Sequence, residues 1–172
     1  LIDFFNKPLI ISTGASDISD IKKLYKKISK NYKFKNNFAF LHCVSSYPVP
    51  NEQTNLASIP YLKKKFPRVV IGYSDHTLDI DAAVYSVIAG ARIVEKHFTL
   101  DKNYSDFRDH QLSADPNEMR LLVQKIRLAE TMTGKEKKIL HSCEKEMNIM
   151  GRRSIAVNRD IAKGEKLQKS DF

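Results

Sequence analysis

Two stretches decide the fold: Arg68-Val-Val-Ile-Gly-Tyr-Ser-Asp-His76 and Ala91-Arg-Ile-Val-Glu-Lys-His-Phe-Thr99. Each is an apolar run that ends in polar and charged groups around a histidine. The segment between them, Leu78 to Gly90, reads as one helix. Two strands joined by a helix form a parallel βαβ unit, so their carboxyl ends point the same way. His76 and His97 therefore sit at one rim. Residues two apart on a strand share a face, so Ser74 goes with His76 and Glu95 with His97. Two imidazoles, a hydroxyl and a carboxylate gathered at one rim suit a metal ion or a substrate better than a core.

The same pattern extends outward. Apolar strand-like runs occur at Pro8 to Thr13, Phe38 to Val44, Val69 to Ser74 and Arg92 to Phe98. Helical patterns follow at Asp17 to Asn31, Asn55 to Phe66, Asp79 to Ala89 and Pro116 to Thr133. Strand–helix alternation at spacings of roughly 25 to 30 residues predicts a parallel α/β sheet. The strands are almost wholly apolar, as expected when both faces are covered. Polar groups gather at the strand ends, where doubly wound sheets and (β/α)8 barrels both place their sites. Four such units make half a barrel. Ser16 or Asp17 can cap the first helix, Asp115-Pro116 opens another, and Gly134 can stop it.

Beyond Lys135 a charged helical stretch leads to Gly151-Arg-Arg-Ser154. Ile155 to Leu167 then reads as short strands with a Lys163-Gly164 turn. A second domain is expected to begin near Gly151, too close to Phe172 to have its own core.

The bulk numbers bound the function. The 172 residues suffice for one domain with a core. At 42% hydrophobic and 28% charged, the chain resembles an ordinary soluble protein. No apolar run approaches the roughly 20 residues that span a bilayer, so no membrane role is expected. Leu1-Ile-Asp-Phe-Phe-Asn6 has neither an initiator Met nor a signal-peptide layout, which reads as an excised piece of a longer chain. Cys43 and Cys143 lie far apart without a CxxC, consistent with a reducing, cytoplasmic setting. The net charge of +9 comes from lysines spread over surface helices without interleaved aromatics. That favours an anionic small molecule over nucleic acid as the partner.

The ordered set of motifs narrows the reading further. Ile11-Ser-Thr-Gly14, Leu41-His-Cys43, Tyr47-Pro-Val-Pro50, Gly72-Tyr-Ser-Asp-His-Thr77, Glu95-Lys-His-Phe-Thr99 and Asp109-His110 through Asp115-Pro116 occur in that order. Together they resemble the sialic acid synthase family, the phosphoenolpyruvate-condensing N-acetylneuraminate synthases and their nonulosonate-forming relatives. The resemblance covers nearly the whole chain, and SDHT followed by EKHFT is its most specific part. It implies strands five to eight of a (β/α)8 barrel over residues 1–134, a linker over 135–150, and the start of a small antifreeze-like (SAF) domain over 151–172. It also implies condensation of phosphoenolpyruvate with N-acetylmannosamine or a related acylamino sugar, giving a nonulosonic acid and phosphate. The intact enzyme would be a homodimer whose SAF domain reaches over its partner's barrel mouth. The alternatives are an inactive fragment of such an enzyme, or another phosphoenolpyruvate-using aldol-type barrel. Arg152-Arg-Ser154 after the barrel argues against the last.

By the same resemblance, His76 and His97 are the protein ligands of a divalent metal, Mn²⁺ or Mg²⁺. Glu95 beside that ion handles protons or the attacking water. Ser12, Ser45 and Ser74 contact the phosphate of phosphoenolpyruvate, with Ser45 standing where many relatives carry asparagine. Tyr47 and Asp109 contact the sugar, Asp109 from the loop Lys102 to Leu112. Lys96 alternates with its neighbours and is expected to face outward in a structural role. Asp75 faces away from His76 and is expected to orient a neighbouring group. His42 and Cys43 are expected in the core.

Overall fold

The computed structural model describes residues 7–30 and 37–172, without the Arg108 side chain. The chain divides into two compact units, one ending at Gly134 and the other Lys135–Phe172. The first unit holds a four-stranded parallel sheet. Its strands are β1 (Leu9–Ser12), β2 (Phe38–Cys43), β3 (Val70–Asp75) and β4 (Val94–Lys96), in that spatial order. The helices are α1 (Ile18–Ser29), α2 (Ser58–Lys65), α3 (Asp81–Ile88), the short α4 (Arg108–Leu112) and α5 (Pro116–Thr133). Sequential strands pair in parallel, as right-handed crossovers require.

The expected strands and helices appear, with tighter ends. The expected end of the first helix at Asn31 lies outside the described residues. β4 is the largest difference: it spans three residues, because only Tyr73, Ser74 and Asp75 of β3 pair with it. His97 therefore lies just past the strand. Its backbone is held instead by Ala114 N–H, which donates to His97 O at 2.8 Å. The segment Lys102 to Leu112, expected as loop, closes in α4.

β2 is buried along its whole length. Phe38 and Phe40 pack with Tyr25 and Phe66 on the helix side. Leu41 points to the other face, opposite Gly72 of β3. A Cβ on Gly72 would stand 2.5 Å from both the Ile93 carbonyl oxygen and Leu41 Cδ2. Only glycine lets β4 and the Leu41 side chain approach β3 this closely. On β1 the residues alternate, with Ile10 57% exposed.

Helix caps follow the local chemistry. Asp17 accepts from Ser19 N and Asp20 N at 2.7 and 3.0 Å to start α1. Asp115 accepts from Asn117 N and Glu118 N, and Glu118 returns to Asp115 N, a reciprocal box that starts α5. Gly134 ends α5 with φ of 62°.

The second unit carries α6 (Lys145–Met150) and two 3-10 turns, Ser142–Glu144 and Lys169–Asp171. The short strands expected over Ile155 to Leu167 do not form. A strand needs a neighbour for its backbone groups, and no ladder pairs with this segment among the described residues. Arg159 organises it instead, at 2.7 Å from Asp171 and 2.6 Å from Glu165.

Candidate active site

The parallel register sets the polar side chains in two rows. Cys43, Ser74 and Glu95 pair across β2, β3 and β4. Asp75 and Lys96 pair one residue further on, and pleating sends them to the opposite face. On the first face the Ser74 hydroxyl donates to Glu95 Oε1 at 2.6 Å, a short charge-assisted bond. Ser74 Oγ also lies 3.4 Å from His76 Nε2.

His76 is gripped by the loop after β2. Val49 N donates to His76 O at 3.0 Å. His76 Nδ1 lies 2.9 Å from the Val44 carbonyl oxygen. A carbonyl can only accept, so Nδ1 bears the hydrogen, and Nε2 of the neutral ring keeps its lone pair. Tyr47 stacks on the His76 ring at 4.2 Å between centroids and meets His97 edge-on at 5.8 Å. The two imidazoles are 5.4 Å apart and nearly perpendicular. Cys43 Sγ is 3.9 Å from His76 Nδ1. That sulfur contact and the Val44 carbonyl raise the His76 pKa above its ordinary value, with burial acting against them. A metal ion at Nε2 must then compete with a proton.

Two imidazoles and a hydroxyl are donors that a divalent ion can use. Because Ser74 gives its hydrogen to Glu95, two acceptors, Ser74 Oγ and His76 Nε2, stand 3.4 Å apart. Among the described residues no group of three His, Cys, Asp or Glu surrounds one point. Two imidazoles would leave the remaining positions to water or substrate oxygens, as in sites that polarise a bound substrate.

The other expected residues are placed as follows. Ser12 ends β1 and is exposed on the sheet. Ser45 lies beyond β2, with its Oγ where a Gly14 Cβ would stand, 2.1 Å away. Gly14 thus lets the ends of β1 and β2 close together. Asp109 is the second residue of α4 and half-buried. Among the described residues its carboxylate makes no hydrogen bond or ion pair, and its backbone carbonyl accepts from Ser113 Oγ. The structure therefore joins His76, His97, Ser74, Glu95 and Tyr47 by direct contacts; among the described residues, Ser12, Ser45 and Asp109 make no side-chain hydrogen bond to them. His42 is buried with Nε2 at 2.8 Å from Thr54 O, a core role; burial lowers its pKa despite that bond.

Lys96 alternates away from Glu95 and His97, as expected, and its side chain is not solvated: it is 2% exposed and 3.0 Å from Asp75 Oδ2. Asp75 orients Thr77 and faces Lys96 rather than the imidazole. The triplets Ser74-Asp-His76 and Glu95-Lys-His97 carried the signal: in parallel register their middle residues meet with opposite charge. Cys43 is also closer to the site than expected. Its place two residues after Leu41, on the same face, was the available clue.

Comparison with known proteins decides the family at this point. A family model described as the NeuB family matches residues 2–138. The chain belongs to the NeuB family. Over 161 residues it is 48% identical to an uncharacterized protein of Methanocaldococcus jannaschii, covering 94% of the chain and 47% of that protein. It is 39% identical to N,N'-diacetyllegionaminic acid synthase of Campylobacter jejuni, covering 93% of the chain and 47% of that enzyme. A crystal structure of N-acetylneuraminic acid (sialic acid) synthetase from Leptospira borgpetersenii, in complex with citrate, superposes with a TM-score of 0.77 at 34% identity. It covers 84% of the chain and 49% of that structure. The chain thus spans about half the length of the curated relatives it matches. The curled four-stranded sheet of this NeuB-family chain is a half-barrel, part of a TIM-type (β/α)8 fold. No helix among the described residues is long and apolar enough to cross a membrane.

Proposed function

We propose that this NeuB-family chain supplies the metal-binding half of a synthase that joins phosphoenolpyruvate to an N-acylated amino sugar. In the reaction C3 of phosphoenolpyruvate bonds to the sugar aldehyde carbon, water adds at C2, and the C2–O bond to phosphate breaks. The products are a nonulosonic acid and inorganic phosphate. The observation that carries this reading is the meeting of His76, His97, Ser74, Glu95 and Tyr47 at the carboxyl ends of β3 and β4. Relatives named for legionaminic, pseudaminic and N-acetylneuraminate 9-phosphate synthesis support the synthase class.

A divalent ion, Mn²⁺ or Mg²⁺, held by His76 and His97 would supply Lewis-acid polarisation of the aldehyde oxygen. The chain's own groups do the rest. Val44 O fixes the His76 tautomer, leaving Nε2 free to ligate. Glu95, kept close to the rings by Ser74, accepts or returns a proton on the attacking water. Ser12, Ser45 and Ser74 offer hydroxyls to the phosphate. Tyr47 gives a flat wall beside His76 and, with Asp109, bears on the sugar. The SAF-type second domain and the homodimer belong to the same reading.

The test is phosphate release by the protein expressed from its native gene, with phosphoenolpyruvate, N-acetylmannosamine or a 2,4-diacetamido sugar, and Mn²⁺. Release should require the sugar and the metal, and should fall at least a hundredfold in Glu95→Gln and in His76→Ala. Sugar-independent release, or full activity in both variants, would defeat the proposal.

A further inference from the structure

We infer that Lys96 is a positioning residue for the site, resting on the reading of His76 and His97 as ligands of one ion. Its buried ammonium clamps the turn after His76 to β4 and so sets the spacing between His76 and the Glu95–His97 side.

β4 carries Glu95 and ends one residue before His97, and among the described residues its three residues pair with β3. Beyond it Ala114 holds the backbone at His97 O and Thr99 N, and the strand itself is held by Lys96. Lys96 reaches back across the sheet. Its Nζ donates to Thr77 O at 2.5 Å and to Asp79 O at 2.8 Å, and it lies 3.0 Å from Asp75 Oδ2. The residues on both sides of His76 are thereby tied to one ammonium on the neighbouring strand.

Asp75 completes the clamp. Its side chain is fully buried, and Oδ1 accepts from Thr77 N, Thr77 Oγ1 and Tyr73 OH. Oδ2 accepts no hydrogen bond of good geometry, so Lys96 is its one charge partner among the described residues. Stability alone is a weak reason for such a pair. A buried ion pair gains little over a well-packed apolar one, while the Lys96 ammonium donates to two fixed carbonyls and faces a fixed carboxylate. What Lys96 adds is geometry, and the geometry it governs is that of His76 against Glu95 and His97.

The test uses the protein expressed from its native gene, with the double variant Asp75→Asn/Lys96→Gln, which leaves no stranded charge. Phe66→Leu, in the helix-side core, is the control for a loss of stability without a loss of clamp. Without metal, imidazole NMR should show contacts between the His76 and His97 rings in the wild type and in Phe66→Leu. Those contacts should be missing from the double variant. Titration with Mn²⁺ should then give at least tenfold weaker binding in the double variant alone, the range seen when partners behind metal ligands are removed. A folded double variant with wild-type ring contacts and wild-type Mn²⁺ affinity would overturn the inference. Should the double variant not fold, Lys96→Arg keeps the charge but presents a longer, planar fork. It should show the same losses, and wild-type behaviour there would equally overturn the inference. A wild-type chain with intact ring contacts that binds no Mn²⁺ would refute the metal reading instead, and loss of the contacts in the double variant would still establish the clamp.

Discussion

Replacing Gly72 by alanine should damage both stability and the site. The added Cβ would stand 2.5 Å from the Ile93 carbonyl oxygen and from Leu41 Cδ2. Leu41 can rotate a little, but the carbonyl is backbone. Ordinary contact begins near 3.4 Å, so β3 and β4 must part by the difference, about 0.9 Å. That carbonyl accepts from Tyr73 N at 2.9 Å, and the bond would stretch past useful length. Overpacking costs about 1–3 kcal/mol, and a net backbone hydrogen bond adds about 1, so a loss of about 2–4 kcal/mol is expected. The shift also carries His97 away from His76, now 5.4 Å apart between ring centroids. Denaturant unfolding of the chain measures the first effect, and NMR contacts between the two imidazoles measure the second. A Gly72→Ala chain with a midpoint within roughly 0.5 kcal/mol of wild type and unchanged ring contacts would refute the argument, since ordinary surface substitutions fall in that range.

Two further outcomes are expected. Asp115→Ala removes the acceptor for Asn117 N and Glu118 N at the start of α5 and should cost about 1 kcal/mol, read by denaturant unfolding; no change would mean that water replaces the cap without loss. Burial holds His42 below its ordinary 6.5, so its folded form resists protonation. The unfolded chain then takes up the proton first, and the stability His42 contributes is present above about pH 6.5 and lost as pH falls through its lowered folded value. Unfolding midpoints measured from pH 7.5 to 5 should fall more steeply in wild type than in His42→Gln, and equal slopes would remove His42 as the cause.

Local chemistry made much of the fold legible in advance. Asp17, Asp115-Pro116 and Gly134 mark helix ends because capping is decided by residues a few positions apart. Apolar runs of strand length broken by helical periods marked a parallel sheet, since both faces of each strand must be covered. The end of β4 was not legible. The run Arg92 to Phe98 stays apolar enough for a strand, but the ladder stops where β3 stops offering partners at Asp75.

For the site, the chain alone determined which residues stand on a common face, because a strand alternates with period two whatever surrounds it. Ser74 with His76, and Glu95 with His97, followed from counting. Only the tertiary structure decided which rows meet across strands, since register is set by packing and not by either strand separately. That register put the Ser74 hydroxyl on Glu95 and the Lys96 ammonium beside Asp75, and it let the Val44 carbonyl choose the tautomer of His76. The sequence determined the cast of side chains. The fold decided their partners, because partners 21 to 32 residues apart are chosen by the packing of strands and loops.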